Sequence, residues 1–234
     1  MSIITDIMTS NGIDSRRAEQ FDTYYKLLIE WNEKINLTAI TEEKEAGYKH
    51  FVDCISPIDC GVVKSNMKII DVGTGAGFPG LPLKIAMPEL KVTLMDSLNK
   101  RINFLNEVVS TLGLSDVSTV HARAEELGKN KAHREQYDLC ISRAVANLAT
   151  LSELCLPFVK VGGLFVSMKG PKAEEELAVA KKAIELCGGE FVEIKNYAID
   201  ETDYDHNLVI IKKVKPTPPK YPRNAPKPAK EPII

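Results

Sequence analysis

The residues best suited to chemistry lie between 71 and 80, where Asp71-Val-Gly73-Thr-Gly75-Ala-Gly77-Phe78-Pro-Gly80 follows a short apolar run beginning at Lys68. An apolar run ending in glycines at every second position describes a buried parallel strand, then a turn that brings the main chain against a ligand. Glycine suits that turn because it adopts φ > 0 and has no Cβ to hold a ligand away from the amides. Gly75-Ala-Gly77-Phe-Pro-Gly80 also satisfies G-x-G-x-x-G, and Asp96 follows about 20 residues later, so the pattern allows a nicotinamide enzyme.

Two details favour S-adenosylmethionine (SAM) over a dinucleotide. The strand ends at Val72, which leaves Gly73-Thr74 over if the dinucleotide motif starts at Gly75. Asp71 has no role around a pyrophosphate, because a carboxylate repels the anion that a helix N-terminus attracts. SAM has no phosphate and carries an ammonium group, which an acid at Asp71 suits. Asp96, after the second strand, offers two oxygens to the hydroxyls of an adenosine ribose. After the third strand comes His121-Ala-Arg-Ala-Glu-Glu126, where Glu125 is placed to accept from an adenine amino group or to serve as a first-turn acid of a helix.

The fourth strand leads into Ser142-Arg143-Ala144. No Asn/Asp-Pro-Pro-aromatic run stands there, and no cysteine nucleophile follows a proline. G-x-S-x-G, the P-loop and H-E-x-x-H are also missing, which removes support for hydrolase, nucleotidase and metalloprotease chemistry. A methyl acceptor with a free lone pair, such as guanine N7, needs neither a base nor a covalent nucleophile, only in-line alignment at near-attack distance. Arg143 then serves placement, unless it is a plain surface ion pair. Lys100 and Arg101 open a helix against its dipole, a cost of a few tenths to about 1 kcal/mol that phosphate contacts would justify.

The elements that must position these groups follow from patterning. Phe21, Tyr24, Tyr25, Leu28, Trp31 and Ile35 recur at three-and-four spacing and predict an amphipathic helix over Ser15 to Ile35, capped by Ser15. Further helical character at Glu42 to His50 and Val52 to Cys60 makes residues 1–65 a helical cap. From Lys68 onward, short apolar runs alternate with helical stretches such as Asn99 to Leu112 and Ala173 to Leu186, the signature of a parallel sheet built from βαβ units. The runs are Lys68 to Val72, Lys91 to Met95, Val117 to Val120, Tyr137 to Ser142, Gly163 to Met168, Glu190 to Ile194 and His206 to Lys212. The last two lack a helix between them and predict an antiparallel pair at the sheet edge. The expected fold is α/β and Rossmann-like: seven strands, mostly parallel, with helices on both faces over residues 66–214.

Of 234 residues, 44% are apolar and 26% charged, which fits an ordinary globular chain. No apolar run is long enough for a membrane span and no positively charged leader opens the chain, so a cytoplasmic protein without membrane contact is expected. The five cysteines form no C-x-x-C pair and argue against a disulfide framework and against a metal site. The net charge of −2 hides a basic end: Lys212 to Ile234 carries seven Lys/Arg against Glu231, and seven of the 13 prolines. Residues 215–234 are therefore expected to form an extended, mobile tail, either solubilising or tracking phosphates, and dispensable for cofactor binding.

With those residues in view, Trp31-Asn-Glu-Lys-Ile-Asn36-Leu-Thr-Ala-Ile40, His50-Phe-Val-Asp53, Asp71 to Lys84, Asp96-Ser-Leu-Asn-Lys-Arg101, Arg123-Ala-Glu-Glu126 and Ser142-Arg-Ala144 resemble the bacterial small-subunit ribosomal RNA guanine-N7 methyltransferases, the RsmG or GidB family. The Lys/Pro-rich end around Tyr221-Pro-Arg223 is similar too. Cys54 departs from the serine more usual there. The resemblance implies SAM as donor, S-adenosylhomocysteine as product, a guanine in the decoding-region loop of 16S rRNA as acceptor, and a monomer acting on the small subunit or its precursor. It implies cofactor contacts at Gly73, Phe78, Ala124, Glu125 and Arg143, beside Asp71, Gly75, Gly77 and Asp96 from the motif. Asn36 and Asp53 would join Arg143 on the catalytic side, with Lys100, Arg101, Arg123, Lys212, Lys213, Lys220 and Arg223 facing RNA. Two other readings stay open: an oxidoreductase on the same glycine pattern, and a non-catalytic ribosome-binding module.

Overall fold

A computed structural model describes residues 2–203 and 205–234. Its centre is one seven-stranded sheet of β1 (Lys68–Val72), β2 (Lys91–Asp96), β3 (Val117–His121), β4 (Tyr137–Arg143), β5 (Val159–Lys169), β6 (Gly189–Tyr197) and β7 (His206–Lys213), in the order β3-β2-β1-β4-β5-β7-β6. β1 to β5 pair in parallel, and β7 is antiparallel to both β5 and β6. The strand order reverses between β1 and β4, and ligands in such sheets bind beyond the carboxyl ends at that point.

Among the described residues, ten α-helices accompany the strands: α1 (Ile3–Ser10), α2 (Ser15–Ile35), α3 (Glu43–Ala46), α4 (Asp53–Asp59), α5 (Gly80–Ala86), α6 (Asn99–Thr111), α7 (Ala124–Leu127), α8 (Leu148–Cys155), α9 (Ala173–Leu186) and α10 (Lys227–Lys230). The strands alternate their apolar side chains between two layers. Ile69, Leu94, Leu139, Ile141 and Val166 join one cluster with Phe21, Tyr24 and Leu28 of α2, whereas Ile70, Val72, Cys140 and Phe165 join the other with α8 and α9. The expected cap is thus continuous with one face of the main core. Asp14, not Ser15, caps α2 by accepting from the Arg17 amide at 3.1 Å. The helical character expected over Glu42 to His50 and Val52 to Cys60 is present as one unbroken run, in which Gly47–Val52 widens into a π-helical segment between α3 and α4. Such segments concentrate at functional sites.

The largest departure is the C-terminal segment, which is folded against the domain rather than extended. The Arg134 guanidinium donates to the carbonyls of Gly128 (2.7 Å), Thr217 (2.7 Å) and Tyr221 (2.9 Å). Arg223 forms a fork on Glu153, with Nη2 to Oε2 at 2.6 Å and Nε to Oε1 at 2.9 Å. Proline removes donors but leaves carbonyls, and a fixed guanidinium can collect several of those. Charge and proline counts describe the segment alone and miss its partner, Arg134. Lys213, expected to face RNA, is fully buried, with Nζ donating to the Leu156 carbonyl at 2.6 Å. Burial pushes its ammonium down to about 8, against the pull of Glu135. Lys212 and Lys220 are exposed. Because β7 starts beside the ligand end of the sheet and runs away from it, Lys212 lies about 20 Å along the strand from His206.

Glu153 has a side chain only 1% exposed, so the segment's anchor is a buried charge with one cationic partner. Arg223→Ala should lower unfolding stability by about 3 kcal/mol, and adding Glu153→Leu should restore most of it. Urea titration of the single and double variants checks both outcomes.

Candidate active site

The turn after β1 is held from below by Asp71, whose Oδ2 accepts from Thr74 Oγ1 at 2.7 Å and from the Gly80 amide at 2.8 Å. Asp71 is fully buried and lies behind the wall of the cleft beyond β1, and its carboxylate shapes the glycine turn. Burial pushes it up to about 7 despite those two donors. Its other oxygen, Oδ1, has no partner among the described residues. From above, the Tyr24 hydroxyl of α2 donates to the Ala76 carbonyl.

The three alternate glycines divide their work. All have φ > 0. A Cβ on Gly75 would meet nothing within 4 Å, so its bare face opens on the cleft. A Cβ on Gly73 would strike Val145 Cγ2 at 2.6 Å, and one on Gly77 would strike Leu81 at 2.5 Å and the Tyr24 hydroxyl at 2.6 Å. Gly77 is therefore a packing glycine beneath α2 and lies outside the cleft, contrary to the motif reading.

A cleft of about 480 Å³ opens beyond β1, β2 and β4, lined among others by Gly73, Gly75, Phe78, Asp96, Ala124, Glu125 and Arg143. Asp96 Oδ2 accepts from the Gly75 amide at 3.0 Å and from Arg101 Nη1 at 3.2 Å, and Oδ1 accepts from the Leu98 amide at 2.9 Å. A carboxylate has about four lone-pair sites, so one remains for a sugar hydroxyl. Arg101 and exposed Arg123 line the same cleft, and Lys100 lies at the start of α6 beside it.

A second cavity of about 450 Å³ adjoins the first and shares His50, Arg143 and Ala144 with it. Its other walls include Asp53, Lys169, Gly170, Glu176, Tyr197 and His206. The polar core is a buried ion pair, Arg143 Nη1 to Asp53 Oδ2 at 2.7 Å. The opposite oxygen accepts from the Tyr197 hydroxyl at 2.7 Å and from His206 Nδ1 at 3.1 Å. Burial works to raise the Asp53 carboxyl, but the His206 hydrogen bond, the Arg143 charge and the Tyr197 hydroxyl outweigh it and hold it below the usual range.

His50 stacks on Phe78 at 4.6 Å between centroids, with the Arg143 guanidinium 5.0 Å over the same ring. Arg143 Nη2 approaches His50 Nδ1 at 3.4 Å, and His50 Nε2 shares a hydrogen bond with Thr38 Oγ1 at 2.8 Å. Burial and the Arg143 charge push His50 down to about 3, which keeps it neutral.

Asn36 lies outside both cavities. It is the left-handed C-cap of α2, with φ 51, and its amide donates to the Asn32 carbonyl. Asn is among the few residues that accept that conformation, so the position reads as a helix stop, and its neighbours Leu37 and Thr38 are the ones that reach the cleft. The sequence reading missed Tyr197, His206, Lys169 and Glu176. The available signal was direction: if β7 is antiparallel, its first residue and the last of β6 arrive at the same end of the sheet as Asp96 and Arg143, and Tyr197 does pair with His206.

A reversed strand order with a glycine turn, an acid after β2 with one acceptor site to spare and an open Cβ face at Gly75 defines a SAM-dependent methyltransferase of Rossmann-like class I fold. Solved structures share that fold: M. jannaschii TYW2 in complex with AdoMet aligns at TM-score 0.53 with 15% identity over 69% of this chain and 77% of that one. A 16S rRNA (adenine(1408)-N(1))-methyltransferase variant from Catenulisporales acidiphilia with SAM aligns at 0.53, with 14% identity over 66% and 88%. The family described as GidB, rRNA small subunit methyltransferase G, matches residues 17–206. Proteins named Ribosomal RNA small subunit methyltransferase G from Alkaliphilus metalliredigens (54% identical, 94% of this chain, 92% of that protein) and Clostridium botulinum (53%, 90% and 88%) are similar over nearly their whole length. The chain belongs to the rRNA small subunit methyltransferase G family, and it is a SAM-dependent rRNA methyltransferase.

The folded-state pKa of Asp71 is raised above its unfolded value, so its burial penalty is complete above about pH 7 and fades as pH falls toward the unfolded value near 4. Asp71→Asn keeps an acceptor for Thr74 and Gly80 and removes the charge. Relative to the parent, it should gain stability as pH rises from 5 to 8. His50, held neutral, affects both proteins alike, so the difference between their denaturant midpoints across that range isolates Asp71.

Proposed function

We propose that this enzyme transfers the methyl group of SAM to N7 of a guanine in 16S rRNA by direct in-line displacement, as a cytoplasmic monomer working on the small subunit or its precursor. The observation that carries this reading is the pair of abutting cavities, whose shared wall of Arg143, His50 and Ala144 holds neither a thiol nor a proton acceptor poised for use. Asp53 already accepts from three donors and its carboxyl is held below the usual range, which makes it a poor base, and both His50 ring nitrogens have hydrogen-bond partners. Guanine N7 asks for nothing more: its lone pair forms the new bond to carbon, the C–S pair leaves with sulfur, and no proton moves.

Bound in the first cleft, SAM would supply an electrophilic methyl carbon and leave as S-adenosylhomocysteine. The chain's own part is positioning. Gly73 and Gly75 offer bare main chain, Asp96 a ribose acceptor, Ala124 and Glu125 the adenine side, and Phe78 with Arg143 the reacting end. Lys100, Arg101 and Arg123 form a cationic rim suited to phosphates, with Lys212 and Lys220 as more distant contacts. Arg223 and Lys213, committed to Glu153 and Leu156, serve the fold instead.

Small subunits from cells lacking the enzyme should accept labelled methyl at one guanine N7, located by chemical cleavage at the modified base. Failure on naked RNA, precursor particles and mature subunits alike, with SAM bound, overturns the reading. Gly75→Asp should abolish SAM binding in calorimetry, because its side chain and charge enter the open face of the turn. The Lys100→Gln/Arg123→Gln pair should leave SAM affinity unchanged and reduce the salt slope of RNA binding by about 2.

A further inference from the structure

We propose that the second cavity is the acceptor-base subsite and that Glu176 reads the guanine placed in it; the inference rests on the methyl-transfer reading above. A base inside a folded RNA reaches a catalytic pocket only when it leaves its stack, and enzymes that modify bases hold the extruded ring in a separate pocket. The second cavity meets the first at Arg143, His50 and Ala144, so a ring lodged there presents one edge to the methyl carbon across that wall. Ala144 itself, one of the three residues shared by the two cavities, has φ 55, an unusual backbone state for a residue with a Cβ.

If N7 faces the shared wall, the opposite edge of the purine, with N1–H and the N2 amino group, faces the far wall. Both are donors. Glu176, from the first turn of α9, lines that second cavity. Its Oε2 is already occupied, accepting from the Leu148 amide at 2.7 Å and from Lys169 Nζ at 2.8 Å. Its Oε1 has no partner among the described residues and remains available to the guanine edge. The carboxylate is also fixed, since Lys169 donates to the Ala146 carbonyl at 2.6 Å and so ties Glu176 to the loop that carries Arg143 and Ala144. Adenine presents an acceptor at N1 and would oppose the same oxygen, which gives the subsite a reason to choose guanine.

Gly170 supplies a test that spares the rest of the site. It lines the second cavity alone, and a Cβ there would meet nothing within 4 Å. Gly170→Phe should keep SAM affinity within twofold and lose RNA methylation by at least about 100-fold, since the space for the base is filled. A second measurement does not depend on that variant's folding. Small subunits reconstituted with inosine at the methylated position lack only the N2 amino group, and should be methylated about tenfold more slowly than guanine by the parent enzyme. Glu176→Gln should be slower on guanine and should shrink that guanine-to-inosine ratio to about one. Parental methylation by Gly170→Phe, or an undiminished guanine-to-inosine ratio in Glu176→Gln, overturns the proposal. A parent enzyme that methylates no guanine would instead refute the reaction, a separate result.

Discussion

The arrangement depends on one buried ion pair, Arg143 with Asp53. Neither partner is tolerable alone in that position, because an unpaired charge under the cap would carry a desolvation cost of several kcal/mol. The pair joins β4 to the first turn of α4, and through the other Asp53 oxygen it reaches Tyr197 on β6 and His206 on β7. One carboxylate thus gathers the N-terminal helices, the centre of the sheet and its antiparallel edge. Removing it would release three groups at once, Arg143, Tyr197 and His206, and with them the tie between the N-terminal helices and the sheet.

The glycine turn shows the same economy of contacts. Asp71 braces it from inside the sheet, Asp96 holds the Gly75 amide from the side, and Tyr24 presses on Ala76 from the cap. A turn with three positive-φ glycines has large conformational freedom in isolation, and these bonds remove it. Two of the three glycines are required by neighbours, Val145 over Gly73 and Leu81 with Tyr24 over Gly77. Only Gly75 is required by the space a ligand would take.

Much of this was legible from the chain. Strand positions could be read because buried parallel strands are short apolar runs between turn signals, and β1 spans Lys68–Val72 as the pattern predicts. The glycine turn and Asp96 were legible because their chemistry is local. Asp71, Gly77 and Asn36 were misassigned for a common reason: each is demanded by backbone geometry next to the site, and sequence adjacency does not distinguish bracing a loop from lining it. Tyr197, His206 and Glu176 were missed because they join the cavity of Arg143 only after a strand reverses direction and a helix folds back. The C-terminal segment was misread because the groups that fix it, the donor Arg134 and the acceptor Glu153, lie some 70 to 90 residues away in the chain.

Electrostatics explains why a buried arginine can stand beside a sulfonium donor. In the proposed reaction, positive charge leaves sulfur in the first cleft and appears on the purine in the second, crossing the wall that Arg143 occupies. An unpaired guanidinium there would raise the energy of both states and attract neither ligand. Paired with Asp53 at 2.7 Å, it becomes a dipole fixed within the wall, close to neutral at the range of either ligand. Such preorganised dipoles need no rearrangement as the charge moves. The neutral imidazole of His50 fits the same requirement, since a protonated ring would add a second cation to that wall; burial and the Arg143 charge both act against its protonation. The site is therefore built to let a cation pass from one cavity to the other, with the protein's own charges cancelled in advance.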